Sequence, residues 1–294
     1  MRLPDMDGLE ILSVVAILCF SSSVSFGSSG SETLPSLIQA LNEKNQPRLI
    51  LAIQAVGRLG PSASGAVFPL LKTVTIEQDG VSFLWIADVR NAIATTICQI
   101  GEAGVPSLLL GLKNNDNRVR SMAAIGLAVV APEVARKKAN PILLKDLRHR
   151  QIRRQREAVL ALGDMGPAAK PAVPGLLKAL ERARRAQRGS VEKFKSEDYE
   201  YLRAEVVEAL GKIRLANNET VGALIEELKP TASFSNSDVP VYAEEALVSM
   251  GAGAVPKLTQ ALHNDDDVLR SRIARILRKM GPPAKQRING CVRP

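Results

Sequence analysis

Between Gln155 and Leu180 the apolar residues fall on two stripes of helical period, and a glycine-proline step divides them. Ala158, Val159, Ala161, Leu162 and Met165 take spacings that place them on one side of a helix, and Ala172, Val173, Leu176, Leu177 and Leu180 repeat the pattern. The divider is Met165-Gly166-Pro167. Glycine accepts the left-handed conformation that closes a helix, and proline is tolerated at the start of the next. The stretch therefore predicts a helical hairpin. Two stripes on so short a hairpin cannot both be buried against each other, so the unit needs neighbours on both flanks.

With Gly166 as a ruler, the same pattern recurs in seven registers, whose corners fall at Gly60, Gly101, Ala131, Gly166, Arg214, Gly251 and Gly281. The corners are 41, 30, 35, 48, 37 and 30 residues apart. Seven residues before each corner stands Ile53, Ala94, Ala124, Val159, Val207, Glu244 or Ala274, small or β-branched everywhere except at Glu244. After the corners, Pro69, Pro106, Pro174 and Pro256 enter the second helices. Leu34 to Leu41 reads as a lone second helix that caps the array. Where glycine is missing, Pro132 stops the helix before a turn lengthened through EVARKKANP, and Asn217-Asn218 are expected to turn the chain after Arg214.

Together with the D-x-x-V-R entry at Asp116, Val119 and Arg120, this pattern resembles HEAT repeats, in particular the short variety named after phycobilisome lyases. The resemblance covers roughly residues 33 to 290. It implies an all-α, right-handed α-solenoid of about seven antiparallel helix pairs, a fold that serves as a scaffold in many settings and does not itself fix a function. Three functional groups built on similar repeats imply alternatives. Bilin-attaching relatives imply a chromophore-attachment subunit, although no residue here marks a bilin site. DNA glycosylases imply a basic surface along a duplex, with no catalytic residue to carry over. Deoxyhypusine hydroxylases imply His-Glu iron ligands, and here His149 precedes Arg150 and His263 precedes Asn264. No catalytic residue, metal ligand or cofactor is expected, and the chain is read as a scaffold rather than an enzyme.

Composition agrees with stacked helices held close by small residues: 46% of residues are hydrophobic and only 3% aromatic. Charge adds a functional clue. From Arg136 to Lys195 there are 17 Lys or Arg against 5 Asp or Glu, a balance of +12, which leaves −3 for the remainder of an overall +9. Within that region Arg148, Arg150, Arg153, Arg154 and Arg156 cluster at one helix entry, while Arg182, Arg184, Arg185 and Arg188 lie past the end of the following helix. Both clusters flank one hairpin and are expected to form a single patch for an acidic or phosphate-bearing surface, with salt-sensitive affinity. The alternative is a solvated face. A protein partner is favoured over nucleic acid, because Phe194, Tyr199 and Tyr201 are the only nearby rings on which bases could stack.

The remaining features bear on organisation. Residues 1–30 read as an export leader with an apolar run from Ile11 to Phe20, a length suited to a signal peptide and short for a membrane span. An exported protein is the expectation, cytoplasmic if the leader does not function. Residues 31–290 form one array, no later segment is expected to cross a membrane, and 183–200 is a basic insertion whose first part is expected to extend a helix before a loop at Gly189-Ser190. Another insertion, IEQDGVSFLW, carries Trp85, expected to plug the gap beside it. The three cysteines fit no disulfide framework or zinc site. Cys98 is expected to be buried, and Cys291 exposed in a polar tail. His149 is expected to be exposed, and His263 to sit in a turn between units. Asp116 with Arg120, and Asp266 with Arg270, stand four residues apart and are expected, with Asp88 and Arg90, to form a ladder between layers.

Overall fold

The computed structural model describes residues 33–75, 83–189, 193–229 and 238–281, which contain helices and turns and no strand. The expected leader, most of the PTASFSNSD loop and the tail with Cys291 lie outside the described residues. The chain divides into two compact units, Met1–Ala131 and Pro132–Pro294. The division falls at Ala131, one of the two corners without glycine.

In the first unit the helices are α1 (Leu34–Ala40), α2 (Gln46–Arg58), α3 (Val67–Lys72), α4 (Phe83–Ile100), α5 (Val105–Gly111) and α6 (Asn117–Val130). The first helices of successive hairpins, α2, α4 and α6, pack in chain order, while α3 packs on α5. The seam between them is aliphatic: Leu49, Ile53, Leu70, Ile93, Ile97 and Leu108 are fully buried. Part of the expected insertion is helical instead, since Trp85 falls in α4. Cys98 is half-buried, where full burial is expected from its position in a helix. Ala87–Gly111 is apolar enough to pass a length-and-composition test for a membrane span, against expectation. The chain reverses within it, however, because Gly101 (φ 69°) separates α4 from α5.

The second unit repeats the arrangement with α7 (Asn140–Asp146), α8 (Ile152–Asp164), α9 (Val173–Gly189), α10 (Lys193–Ile213), α11 (Asn218–Glu227), α12 (Val239–Ser249), α13 (Val255–Ala261) and α14 (Asp267–Met280). First helices α8, α10, α12 and α14 stack on one side, and second helices α9, α11 and α13 on the other. Each unit is thus an all-α stack of antiparallel helix pairs, the α-solenoid pattern. One expected turn is itself helical. EVARKKANP forms a single turn at Pro132–Val134, a π-helical turn at Ala135–Ala139 and the start of α7. The first part of the basic insertion lengthens α9 through Gly189, as expected, and the described helix resumes at Lys193.

Corner geometry explains the sequence register. Gly60, Gly101, Gly166, Gly251 and Gly281 all have positive φ, between 54° and 72°. Ala131 does not, with φ −148° and ψ 67° at the end of α6. Arg214 is the one non-glycine residue with positive φ among the described residues, at 55°. It makes the bend itself, while Asn217 caps α11 by accepting from the Thr220 N–H at 2.7 Å; the asparagines do not turn the chain. A side chain in the left-handed region is strained by about 1–2 kcal/mol. Arg214→Gly is therefore expected to stabilise the protein by about 1 kcal/mol, measured as a higher urea midpoint; an unchanged or lower midpoint contradicts a strained corner.

Candidate interaction surface

The helix entries show how the turns beneath the surface are held. Before α6, the Asn114 Oδ1 accepts from the Asp116 N–H at 2.9 Å, Asp116 caps the helix, and Arg120 donates back to the Asn114 and Asn115 carbonyls at 2.7 and 2.8 Å. Before α14 the arrangement returns: Asn264 Oδ1 accepts from Asp266 N–H at 3.0 Å, Asp266 accepts from Val268 and Leu269, and Arg270 donates to the Asn264 carbonyl at 2.8 Å. These contacts lock turns within a layer. Asp116 also pairs with Arg118 at 2.9 Å, and that hydrogen bond holds its carboxyl below the usual range.

Before α8 the same device uses different residues. His149 Nδ1 accepts from the Gln151 N–H at 3.2 Å, and Gln155 Nε2 donates to the His149 carbonyl at 2.6 Å. His149 stands where Asn114 and Asn264 stand, and Gln155, six residues on, where Arg120 and Arg270 stand. This histidine is half-buried and structural, where exposure is expected from the sequence; His263 lies exposed in the turn after α13.

Other pairs tie the layers together. Arg156 on α8 forks onto Glu205 of α10, with Nε 3.0 Å from both carboxylate oxygens and Nη2 at 2.6 Å, and lies 5.4 Å from the centroid of the Tyr201 ring. Lys212 bridges Asp164 at 3.0 Å and Glu208 at 2.9 Å. Glu244, the one break in the small-residue column, is buried beneath Arg275, whose Nε donates at 3.1 Å. Asp88 accepts from Gln46 at 3.4 Å, a link between α4 and α2. Between α9 and α11, Glu227 is fully buried and receives Arg184 at 2.6 Å and Arg203 at 2.5 Å. Arg184 also reaches the Ala223 carbonyl at 3.0 Å.

The nine arginines marked by the sequence thus separate into groups. Arg154 is held by buried Asp146 at 2.9 Å, Arg156 by Glu205, Arg184 by Glu227 and Arg185 by Glu181 at 2.9 Å. Arg182 donates to the Leu147 carbonyl at 3.1 Å, which brings the end of α9 beside the turn holding Arg148 and Arg150. The two clusters therefore meet at one end of the α8–α9 hairpin. Arg148, Arg150 and Arg153 are exposed and make no ion pair among the described residues. Arg188 lies in α9, and its side chain is outside the described residues. Among the described residues no group of three or more metal-ligating side chains comes together.

Glu205 and Arg156 respond differently to their shared setting. The hydrogen bond from Arg156 to Glu205 raises the guanidinium's pKa, whereas burial raises the carboxyl's above its ordinary 4.5 despite the attraction of Arg156. A raised carboxyl pKa means that the folded chain holds this proton to higher pH than the unfolded chain does. Its contribution to stability is then greatest at low pH and declines as pH rises from 4.5 through the folded value. An NMR titration of the Glu205 carboxyl is expected to give a midpoint above 4.5; one at or below it contradicts the dominance of burial.

Residues 155–182 match the PBS lyase HEAT-like repeat, so the chain carries that repeat at α8 and α9, the hairpin whose pattern is clearest in the sequence. No curated protein matches the sequence. Among solved structures, a designed armadillo repeat protein in complex with the peptide (KR)4 is 21% identical over 85% of this chain and 100% of its own, with a TM-score of 0.33. Another designed armadillo repeat protein is 20% identical, again over 85% of this chain and 100% of its own, at 0.33. An engineered protein from the Northeast Structural Genomics Consortium is 18% identical over 85% of this chain and 97% of its own, at 0.32.

Proposed function

We propose that the chain is a non-catalytic HEAT-like scaffold that binds another macromolecule, foremost an acidic protein, through its second-helix face and the outward arginines of the α8 entry. The observation that carries this reading is the division of the arginines. Arg154, Arg156 and Arg184 are matched by carboxylates, whereas Arg148, Arg150 and Arg153 project positive charge without an ion pair among the described residues. A repeat array suits such a task because its core forms between layers and leaves a broad exterior face available. His149, the histidine closest to the patch, closes a turn through both its ring nitrogen and its carbonyl.

The test is affinity capture from native extract with the full chain and with the R148E/R150E/R153E variant. The variant is expected to retain at most about a tenth of a protein captured by the parent, as loss of steering and contact charge would produce. Equal capture by both chains overturns the patch. Capture that disappears when the extract is treated with nuclease overturns the protein partner in favour of nucleic acid.

A further inference from the structure

The second helices of the second unit carry a cationic pair that the arginine clusters obscure. Lys145 follows the buried Leu143 of α7 by two residues, and Lys178 follows the buried Leu176 of α9 by two. They occupy equivalent positions one layer apart, both are exposed, and neither makes an ion pair among the described residues. Arg182 lies four residues after Lys178 and shares its helix face, while Arg148 lies in the turn that follows Lys145 and the end of α7. The helices themselves are close. A Cβ added at Gly175 of α9 would stand 2.3 Å from Leu144 Cδ2 and 3.8 Å from Leu147 Cδ2 of α7.

The column changes character in the following layers. Glu226 of α11 takes the equivalent place and pairs with Lys229 at 2.8 Å. Gln260 of α13 comes next and accepts from Lys257 at 3.0 Å. The positive footprint in this unit therefore spans the two helices α7 and α9.

We propose that this footprint takes an extended acidic peptide with a carboxylate at every third residue, laid across α7 and α9; the proposal rests on the scaffold reading above and specifies its ligand. Packed helices lie about 8–10 Å apart, and a polyproline-type chain advances about 9 Å in the three residues that return a side chain to the same face. Carboxylates three residues apart would then meet Lys145 and Lys178 in turn. Nucleic acid fits less well. Several of the arginine forks that clamp phosphates are engaged by this chain's own carboxylates, and neither helix carries an aromatic residue on which a base can stack.

The experiment is fluorescence anisotropy of the full chain with a labelled peptide bearing glutamate at every third position and proline between. A peptide of the same composition with its glutamates bunched together, and a 20-base-pair DNA duplex, serve as comparisons. The spaced peptide is expected to bind saturably, at least about five-fold more tightly than the bunched one, and to lose at least about ten-fold in K145E/K178E while the variant's circular dichroism melt stays unchanged. Undetectable binding of the spaced peptide, equal affinity for both peptides, or tighter binding of the duplex than of the spaced peptide would each overturn the proposal. If R148E/R150E/R153E still loses its captured protein while the spaced peptide fails to bind, the acidic-peptide ligand alone is overturned and the scaffold reading stands.

Discussion

Replacing Glu227 by alanine is expected to destabilise the second unit by about 3–5 kcal/mol, because it removes the buried carboxylate that receives both Arg203 and Arg184 and leaves the buried Arg203 charge uncompensated, while Arg184 keeps Glu181 at 3.5 Å. Glu227 is 0% exposed at its side chain, Arg203 6% and Arg184 19%. Arg203 also hydrogen-bonds the Gln187 amide, so the cluster joins α9, α10 and α11. Urea unfolding checks the expectation through the midpoint of the transition. Removing charge on both sides should behave differently, since buried ion pairs contribute little against apolar residues of similar size. A Glu227→Leu, Arg203→Met variant is therefore expected to recover part of the loss. A Glu227→Ala change of less than about 1 kcal/mol, the scale of an exposed pair, would show that the cluster is hydrated.

The second large effect concerns close helix packing. At Gly211 on α10, an added Cβ would sit 2.8 Å from both Cα and Cβ of Ala246 on α12. The first of these is a backbone atom, so relief requires the helices to move apart. Gly211→Val is expected to cost about 1–3 kcal/mol by overpacking, with α12 shifted away from α10. At Gly222 on α11, the nearest atom to an added Cβ is Lys257 Cε at 4.0 Å. There alanine removes backbone freedom from the unfolded chain without a clash, and Gly222→Ala is expected to stabilise by about 0.5–1 kcal/mol. Thermal melts of the two variants should move in opposite directions. Shifts of the same sign would mean that the α10–α12 approach is looser than its geometry indicates.

Much of the fold was legible because its punctuation is local. A glycine that must take positive φ can be recognised from the residues beside it, and five corners followed from that alone. Arg214 was placed only by spacing, and its left-handed backbone was hidden because the sequence supplies nearby asparagines as plausible turn formers. The helical turn at Pro132–Ala139 was hidden for a related reason: a proline after Ala131 and the charged run through Lys138 resemble a lengthened turn, yet they are helical.

The surface was less legible than the fold. Arg156 and Glu205 are 49 residues apart and Arg184 and Glu227 are 43, so no local pattern announces that these arginines face inward. A count of charge sees only the cations and reads one patch where there are two populations. The role of His149, by contrast, did leave a signal. It stands six residues before Gln155, the spacing of Asn114 to Arg120 and of Asn264 to Arg270, and aligning helix entries instead of corners would have identified it.

Thermal unfolding of two variants side by side tests the separation of inward from outward arginines most directly. R156A/R184A, which breaks ties between layers, is expected to lower Tm by more than about 4 °C, whereas R148A/R150A/R153A should leave it within about 2 °C of the parent. Equal shifts in the two variants, or a larger shift in the second, would contradict the assignment of structural and contact roles.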